Sequence, residues 1–446
     1  MNRRGMTLVE MLVAMTATLI LMGAVTQIFA VFGTAVSNSQ SILDTDNRIR
    51  VVAWKLRQDL AGATARLLPP LAPSSGEGYF EIIEGPVTDA AAAAAGTVGP
   101  ADCDDVLLFT TRSNADPFIG RSGTSMTTSL QSPVAEVAWF ARLSGTTAGV
   151  PVYTLYRRQL LVVGYVGTGT GSTAFSIANQ NSVSFSAFSS QWSTFYDTYD
   201  LSTRLENGVC YPNTLADLTR RECRFLHDTV AGFPFAFVNH QTATAPNGLI
   251  FQSTSMRRGE DVALTNVLGF DVRVFDPGVP VYASSTGNLP LLPQDNGYPG
   301  ATQIGTGGYV DLGASPSTNT MLSGIGIYPH FSGTGQAKSG LSGGTQRIYD
   351  TWSMHYEANG RDEDGVYDPD QGSNGLDDDG DGKIDEPPLD ANGNGSYADA
   401  GDDPGELETS PPFPYPLRGL EVRIRCLDPE SRQVRQVTVR HTFVPY

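Results

Sequence analysis

Cysteine and histidine are scarce, four and five in a chain of 446 residues. Four cysteines exclude a scaffold held by a dense set of disulfides. The histidines, His227, His240, His330, His355 and His441, form no H-E-x-x-H and no zinc-type spacing with cysteine, so the common zinc-site signatures are missing. The glycine-rich runs GTGTGS (167–172) and GTGG (305–308) lack the G-x-G-x-x-G or G-x-x-x-x-G-K spacing that cradles phosphate. Basic residues are few, 29 Lys and Arg against 47 Asp and Glu, and they form no stripe with aromatic neighbours. Nucleic acid is therefore not an expected partner. With no catalytic constellation in view, the sequence does not read as an enzyme.

Charge is missing most conspicuously near the start. After Glu10 the next charged residue is Asp44, so Met11 to Leu43 is 33 residues without one. About 20 apolar residues suffice to span a bilayer as a helix. The run is longer than the ~7 to 15 residue core of a cleaved secretory signal. A plain anchor agrees with its length and with Arg3 and Arg4, which hold the N-terminus in the cytoplasm. It leaves Glu10 unexplained, because an ionised group at membrane depth costs roughly 2.5 kcal/mol or more and usually marks a partner.

The residues RRGMTLVE (3–10) resemble the processing motif of type IV prepilins: a short basic leader, Gly5 before the scissile bond, an apolar first mature residue at Met6 and a glutamate, Glu10, at mature position five. The resemblance implies cleavage after Gly5 by prepilin peptidase, methylation of the new Met6 amine and retention of the apolar helix. It also implies that Glu10 neutralises the Met6 amine of a neighbouring subunit. Such a buried pair contributes more to register than to stability, since desolvation offsets much of the attraction.

Beyond the apolar run, Ile49, Val52, Leu56, Leu60, Ala63 and Leu67 recur at helical spacing, with Arg50, Lys55, Arg57 and Asp59 pointing elsewhere, up to a stop at Pro69 and Pro70. The pattern predicts one helix from about Met6 to Leu68. After it the period becomes two. Strands are predicted at 106–110, 134–142, 152–163, 268–275, 420–427 and 434–444. In GFDVRVF and GLEVRIRCL, alternation places Phe270, Val272, Val274, Leu420, Val422 and Ile424 toward a core, with Asp271, Arg273, Glu421 and Arg423 toward water.

The expected architecture is α+β and pilin-like, a long N-terminal helix packed on an antiparallel sheet with long loops. Its parts are a leader (1–5), a transmembrane and assembly helix (6–33), the helix's amphipathic continuation (34–68) and a β-rich periplasmic domain (69–446). WKLRQDLAGATARLLPP, then VAWFARL with TLYRR, and the terminal GLEVRIRCLDPESRQVRQVTVRHTFVPY look like minor pseudopilin J of type II secretion, with PilW-like minor pilins close behind. That likeness implies a single-pass inner-membrane protein built into a pseudopilus or pilus beside other pilins or pseudopilins. A rival expectation is a calcium-dependent surface adhesin or binding module on a pilin-type anchor.

The net charge of −18 is concentrated in one place. The insertion 357–408 holds 18 acids against Arg361 and Lys383. Within it LDDDGDGKIDE puts Asp377, Asp379, Asp381, Gly382 and Asp385 at positions 1, 3, 5, 6 and 9 of the D-x-D-x-D-G calcium loop, with Lys383 offering its carbonyl at position 7. Position 12 is Pro388 in place of glutamate, so Glu386 or Asp390 has to close the shell. Asp390, Asn392, Asn394 and Gly395 repeat the spacing, as do Asp362, Asp364 and Asp368. A structural Ca²⁺ is the expected cofactor; the competing reading is a solvated acidic insert. Cys210 and Cys223, 13 residues apart in a polar stretch, are a candidate disulfide for an oxidising compartment, the alternative being two unpaired thiols.

Overall fold

The computed structural model describes residues 7–68, 75–84, 103–121, 129–147, 149–163, 196, 199–206, 209–225, 227–228, 236–237, 257, 259–285, 287, 289–293, 295, 297–300, 302–313, 348–351, 383, 389, 391–393, 401 and 415–443. It opens with one helix, α1 (Leu8–Ala61), 54 residues and so about 80 Å long. Thr7 caps it.

Leu8 to Val36 is exposed around nearly the whole circumference, whereas Ile49, Val52, Ala53, Leu56 and Leu60 are buried on one face. Burying four large aliphatic side chains contributes gross stabilisation on the order of 10 kcal/mol before the entropy of ordering them is counted. The helix ends at Ala61, short of the expected Leu68. Gly62 lies so close to the strand Val106–Arg112 that a Cβ there would overlap the Arg112 carbonyl oxygen. Arg112 N–H donates to the Gly62 carbonyl (2.7 Å), Thr64 N–H donates to the Thr110 carbonyl (3.0 Å), and Ala63 bridges Thr111. Pairing with a strand, and not the Pro69–Pro70 stop, ends the helix. Ala63 and Leu67 reach the core from extended backbone.

The strands are β1 (Phe80–Ile83), β2 (Val106–Arg112), β3 (Phe118–Arg121), β4 (Ser129–Ser132), β5 (Val134–Thr147), β6 (Val150–Leu161), β7 (Thr203–Glu206), β8 (Val209–Pro212), β9 (His227–Asp228), β10 (Ala236–Phe237), β11 (Val262–Ala283), β12 (Pro290–Leu291), β13 (Thr302–Val310), β14 (Ile348–Asp350), β15 (Gly419–Leu427) and β16 (Val434–Thr442). Ten of them form one sheet in the order β14-β1-β2-β5-β6-β11-β15-β16, with β12 and β13 pairing on the long β11. All its pairings are antiparallel. This is the expected α+β, pilin-like architecture, and the six expected strands are all present.

β11 and β15 pair, and their register sets the two apolar rows opposite each other: Phe270 opposite Ile424, Val272 opposite Val422, Val274 opposite Leu420. These six side chains are fully buried with the helix face and with Leu107, Phe109, Val137 and Trp139. The opposite face differs from the expectation. Asp271, Arg273 and Glu421 are buried, because distant segments cover them; only Arg423 is part-exposed. Arg273 meets Asp271 (3.0 Å) and, just past β13, Asp311 (3.1 Å). Glu421 accepts from Arg423 (2.7 Å) and Arg440 (2.6 Å).

Farther along that face, Tyr199, Leu201, Leu218 and Phe225 pack with Tyr79, Val106, Leu108, Ala138 and Phe140 as a second apolar layer. A buried ionic cluster ties it to the sheet. Arg221 donates to Glu81 (2.7 Å), while Arg224 donates to Glu81 and Asp350 (both 2.8 Å). His227 Nε2 lies 2.9 Å from Glu81. Both side chains are fully buried, and the contact ties β9 to β1.

Candidate functional site: a membrane-length helix and its attachment to the sheet

The N-terminal turn accounts for Glu10. Thr7 N–H (2.9 Å) and the Thr7 hydroxyl (3.1 Å) both donate to Glu10 Oε2, and Glu10 N–H donates back to Thr7 Oγ1 (3.3 Å). This is a capping box, legible in the sequence as T-x-x-E at 7–10 and missed when the acid was considered only as a membrane charge. It sets a carboxylate against the positive end of the helix dipole. Oε2 takes both bonds; Oε1 has no partner among the described residues. Gly5 and Met6, the expected processing pair, lie outside the described residues.

Above the apolar segment the helix is held at two levels. At the lower one, Ser41 donates to Asp428 Oδ1 (2.6 Å) and Ser37 to Glu430 (3.2 Å). Asp428 shapes the β15–β16 turn by also accepting from Ser431 Oγ (2.8 Å) and Glu430 N–H (3.0 Å). Burial opposes the ionised form of this carboxyl, but the hydrogen bonds prevail and hold it below the usual range. Asp46 adds a part-exposed pair with Arg435 (3.4 Å).

The upper level is Asp59, 18 residues or about 27 Å beyond Ser41. Expected to point away from the core, it is 2% exposed and lies under the sheet. Arg157 grips it with two bonds, Nε to Oδ2 (2.6 Å) and Nη2 to Oδ1 (2.9 Å), and Trp139 Nε1–H donates to Oδ2 (3.1 Å). The Thr111 hydroxyl donates to the Asp59 carbonyl (2.7 Å). Lys55 stands 3.7 Å from Oδ1, its pKa lowered by burial and by the Arg157 charge. Asp59, Trp139 and Arg157 belong to WKLRQDL, VAWFARL and TLYRR, three of the segments that carried the family likeness, and the fold gathers them at one point. No single segment's periodicity signals this contact, since each partner satisfies a local pattern of its own.

The calcium positions are mostly out of view. Asp377, Asp379, Asp381, Asp385, Asp390 and Asn394 lie outside the described residues; Lys383 and Asn392 are described and exposed. Among the described residues no group of three or more His, Cys, Asp or Glu is arranged to hold a metal. Cys223 is buried in a 3₁₀ turn (Arg221–Cys223) and Cys210 lies on β8, but the Cys210 side chain is outside the described set, so their pairing stays an expectation.

What this arrangement does is mechanical. It presents about 29 residues of apolar helix, the one described helix long and apolar enough to cross a membrane, from a folded domain attached rigidly above it. No curated protein and no solved structure matches the chain. Residues 1–26 match the prokaryotic N-terminal methylation motif, so the start of the chain is similar to that of prepilin-like proteins, and α1 is the helix among the described residues that is long and apolar enough to anchor it in a membrane.

Proposed function

We propose that this chain is a minor pilin or pseudopilin, a non-enzymatic assembly component of a type II secretion pseudopilus or a type IV pilus. Prepilin peptidase cuts after Gly5, the helix to about Phe32 stays in the inner membrane until assembly, and the β-rich domain stands in the periplasm. The observation that carries this reading is the combination of a methylation motif with a membrane-length exposed helix docked on the sheet through Asp59. Glu10 Oε1 is free to receive the Met6 amine of a neighbour while Oε2 holds the cap. The likeness of the Asp59, Trp139 and Arg157 segments to minor pseudopilin J favours a role beside other minor pseudopilins over the adhesin reading. In the acidic insertion, Asp377, Asp379, Asp381, the Lys383 carbonyl and Asp385 hold a structural Ca²⁺, with Asp390, Asn392 and Asn394 in a second loop.

Mass spectrometry of the mature protein is the direct test. A chain beginning at N-methylated Met6 is the expected result; one trimmed beyond Glu10, or retaining Arg3 and Arg4 once assembled, rejects it. The calcium assignment is separate. Chelator should lower the melting temperature of the full chain in detergent, and Ca²⁺ should restore it; an unchanged melt removes the ion without touching the assembly role.

A further inference from the structure

The two margins of the large sheet are finished differently. At one, β14 is three residues long and fully buried. At the other, β16 runs nine residues beside β15 with no bulge and no proline, and it meets no further described strand. The unpaired backbone groups of such a margin are a template for another strand.

Which groups are open follows from the ladder. Asp428 N–H donates to the Gln433 carbonyl (2.9 Å) and Phe443 N–H to the Arg418 carbonyl (3.0 Å), one at each end of an unbroken register. Antiparallel pairing alternates, so Arg435, Val437, Val439 and His441 turn their N–H and C=O toward β15. Val434, Gln436, Thr438, Arg440 and Thr442 turn theirs outward. Among the described residues these outward groups meet only Arg57, which makes a long bond to the Thr438 carbonyl (3.5 Å).

The margin is also basic. The outward residues share a face with Leu427, Arg425, Arg423, Glu421 and Gly419, which lie opposite them on β15. Arg440 keeps 66% exposure and Arg423 30%, while the buried Glu421 is bonded to both. With Arg425, these two strands set three guanidiniums against one carboxylate on that face. Other acids are committed: Asp271 and Asp311, one strand farther in, are buried against Arg273, and Asp46 pairs with Arg435 on the opposite face.

We infer that the outer edge of β16 takes an extended, acidic segment of another protein as an added strand, its carboxylates lying on the face of Arg423, Arg425 and Arg440. In strand addition the main-chain bonds supply affinity and the side-chain rows supply choice. A second copy of the chain would bring its own arginines to this face, and like charges across strands oppose pairing. The surface is separate from the apolar helix, and a mature chain beginning at N-methylated Met6 is compatible with either outcome of the test.

That test is amide hydrogen exchange of the full chain in detergent, read at single residues by mass spectrometry, with the blocked peptides TETETET and TKTKTKT as probes. Without peptide, the Gln436, Thr438, Arg440 and Thr442 amides should exchange fast, and those of Val437 and Val439 slowly. TETETET should slow the even-numbered set about tenfold at ten times its Kd. TKTKTKT should bind about fivefold or more weakly, the difference of one exposed ion pair. Thr438→Pro deletes an outward N–H and no rung to β15, so it should abolish that protection and keep the melting temperature. Arg440→Gln, which leaves Glu421 with Arg423, should narrow the gap between the peptides and supplies a second reading if the proline variant fails to fold. No protection by TETETET, equal binding of the two peptides, or binding that survives Thr438→Pro unchanged overturns the inference. So does protection that rises with protein concentration when no peptide is present, which makes the occupant a second copy.

Discussion

Replacing Arg157 by alanine should detach the helix from the sheet. Asp59 has 2% of its surface exposed and takes both guanidinium bonds at 2.6 and 2.9 Å. Removing one partner of a buried pair costs about 3 to 5 kcal/mol, because the remaining charge is left in a poor solvent. Two groups soften the loss. Trp139 keeps its bond at 3.1 Å, and Lys55, 3.7 Å away on a flexible stem, closes on the carboxylate for about 1 kcal/mol. The net expectation for Arg157→Ala is ~3 kcal/mol.

The reverse change is milder. Arg157 keeps 13% exposure and a bond to Gln159 (3.0 Å), so Asp59→Asn leaves a cation that still reaches water. It also sets an amide NH₂ where the carboxylate faced only donors, which costs ~2 kcal/mol. Since the two single changes break the same contact, the double variant should fall short of their sum by more than about 1 kcal/mol. Urea unfolding of the full chain in detergent, followed by tryptophan fluorescence, measures all three. A loss under about 1 kcal/mol for Arg157→Ala, or strict additivity, would refute the view that this contact fixes the helix to the domain.

Two further perturbations examine other parts of the structure. Gly62→Ala should cost about 1 to 3 kcal/mol, since its methyl group meets backbone and not a movable side chain; a neutral effect in the same urea assay would remove the close approach as the cause of helix termination. In the buried cluster, burial pushes Asp350 up to about 6, against the Arg224 charge, and burial lowers His227 below its usual value. The raised carboxyl stabilises the fold when protonated and loses that contribution as pH rises through about 6; the depressed imidazole contributes above the unfolded value and loses that contribution as pH falls below it and through its own lower one. Relative to the parent, Asp350→Asn should therefore look better at pH 7 than at pH 5, and His227→Gln better at pH 5 than at pH 7. Parallel slopes for the two variants would contradict this.

Much of the fold was legible because it follows from local periodicity. The helical face from Ile49 to Leu60 and the inward-facing rows of β11 and β15 both came from apolar spacing, and both hold. What periodicity could not supply was a partner from elsewhere in the chain. Asp59 looked like a solvent-facing acid until Trp139 and Arg157, 80 and 98 residues on, closed over it. Asp271 and Arg273 alternate correctly, yet the other face is not water, because Asp311 lies there. The helix end was assigned to Pro69 and Pro70 because they are the strongest local stop, while the actual cause is β2, some fifty residues later. Of the candidate site, Glu10 was identified from its isolation in an apolar run, but its immediate partner, Thr7, was adjacent and overlooked.

The two attachment levels constrain what the helix can do in an assembly. A single contact at Asp59 would let the domain swing about the rod, and a single contact at Ser41 would let it tilt. Together, about 27 Å apart along a stiff helix, they fix both the rotation of the rod and the side of it that faces outward. The Asp428 turn, bonded within a turn or two of the last apolar residues, ties the described domain to the apolar end of the rod. Rotation matters most for the exposed side of the rod. Trp54 is held at a defined angle to the sheet only because Asp59, five residues on and across the helix, is held against it. A domain that loosened at Asp59 would keep its apolar segment, but Arg50, Trp54 and Arg57 would then point over a range of directions relative to the sheet, so orientation would be lost before the helix itself was.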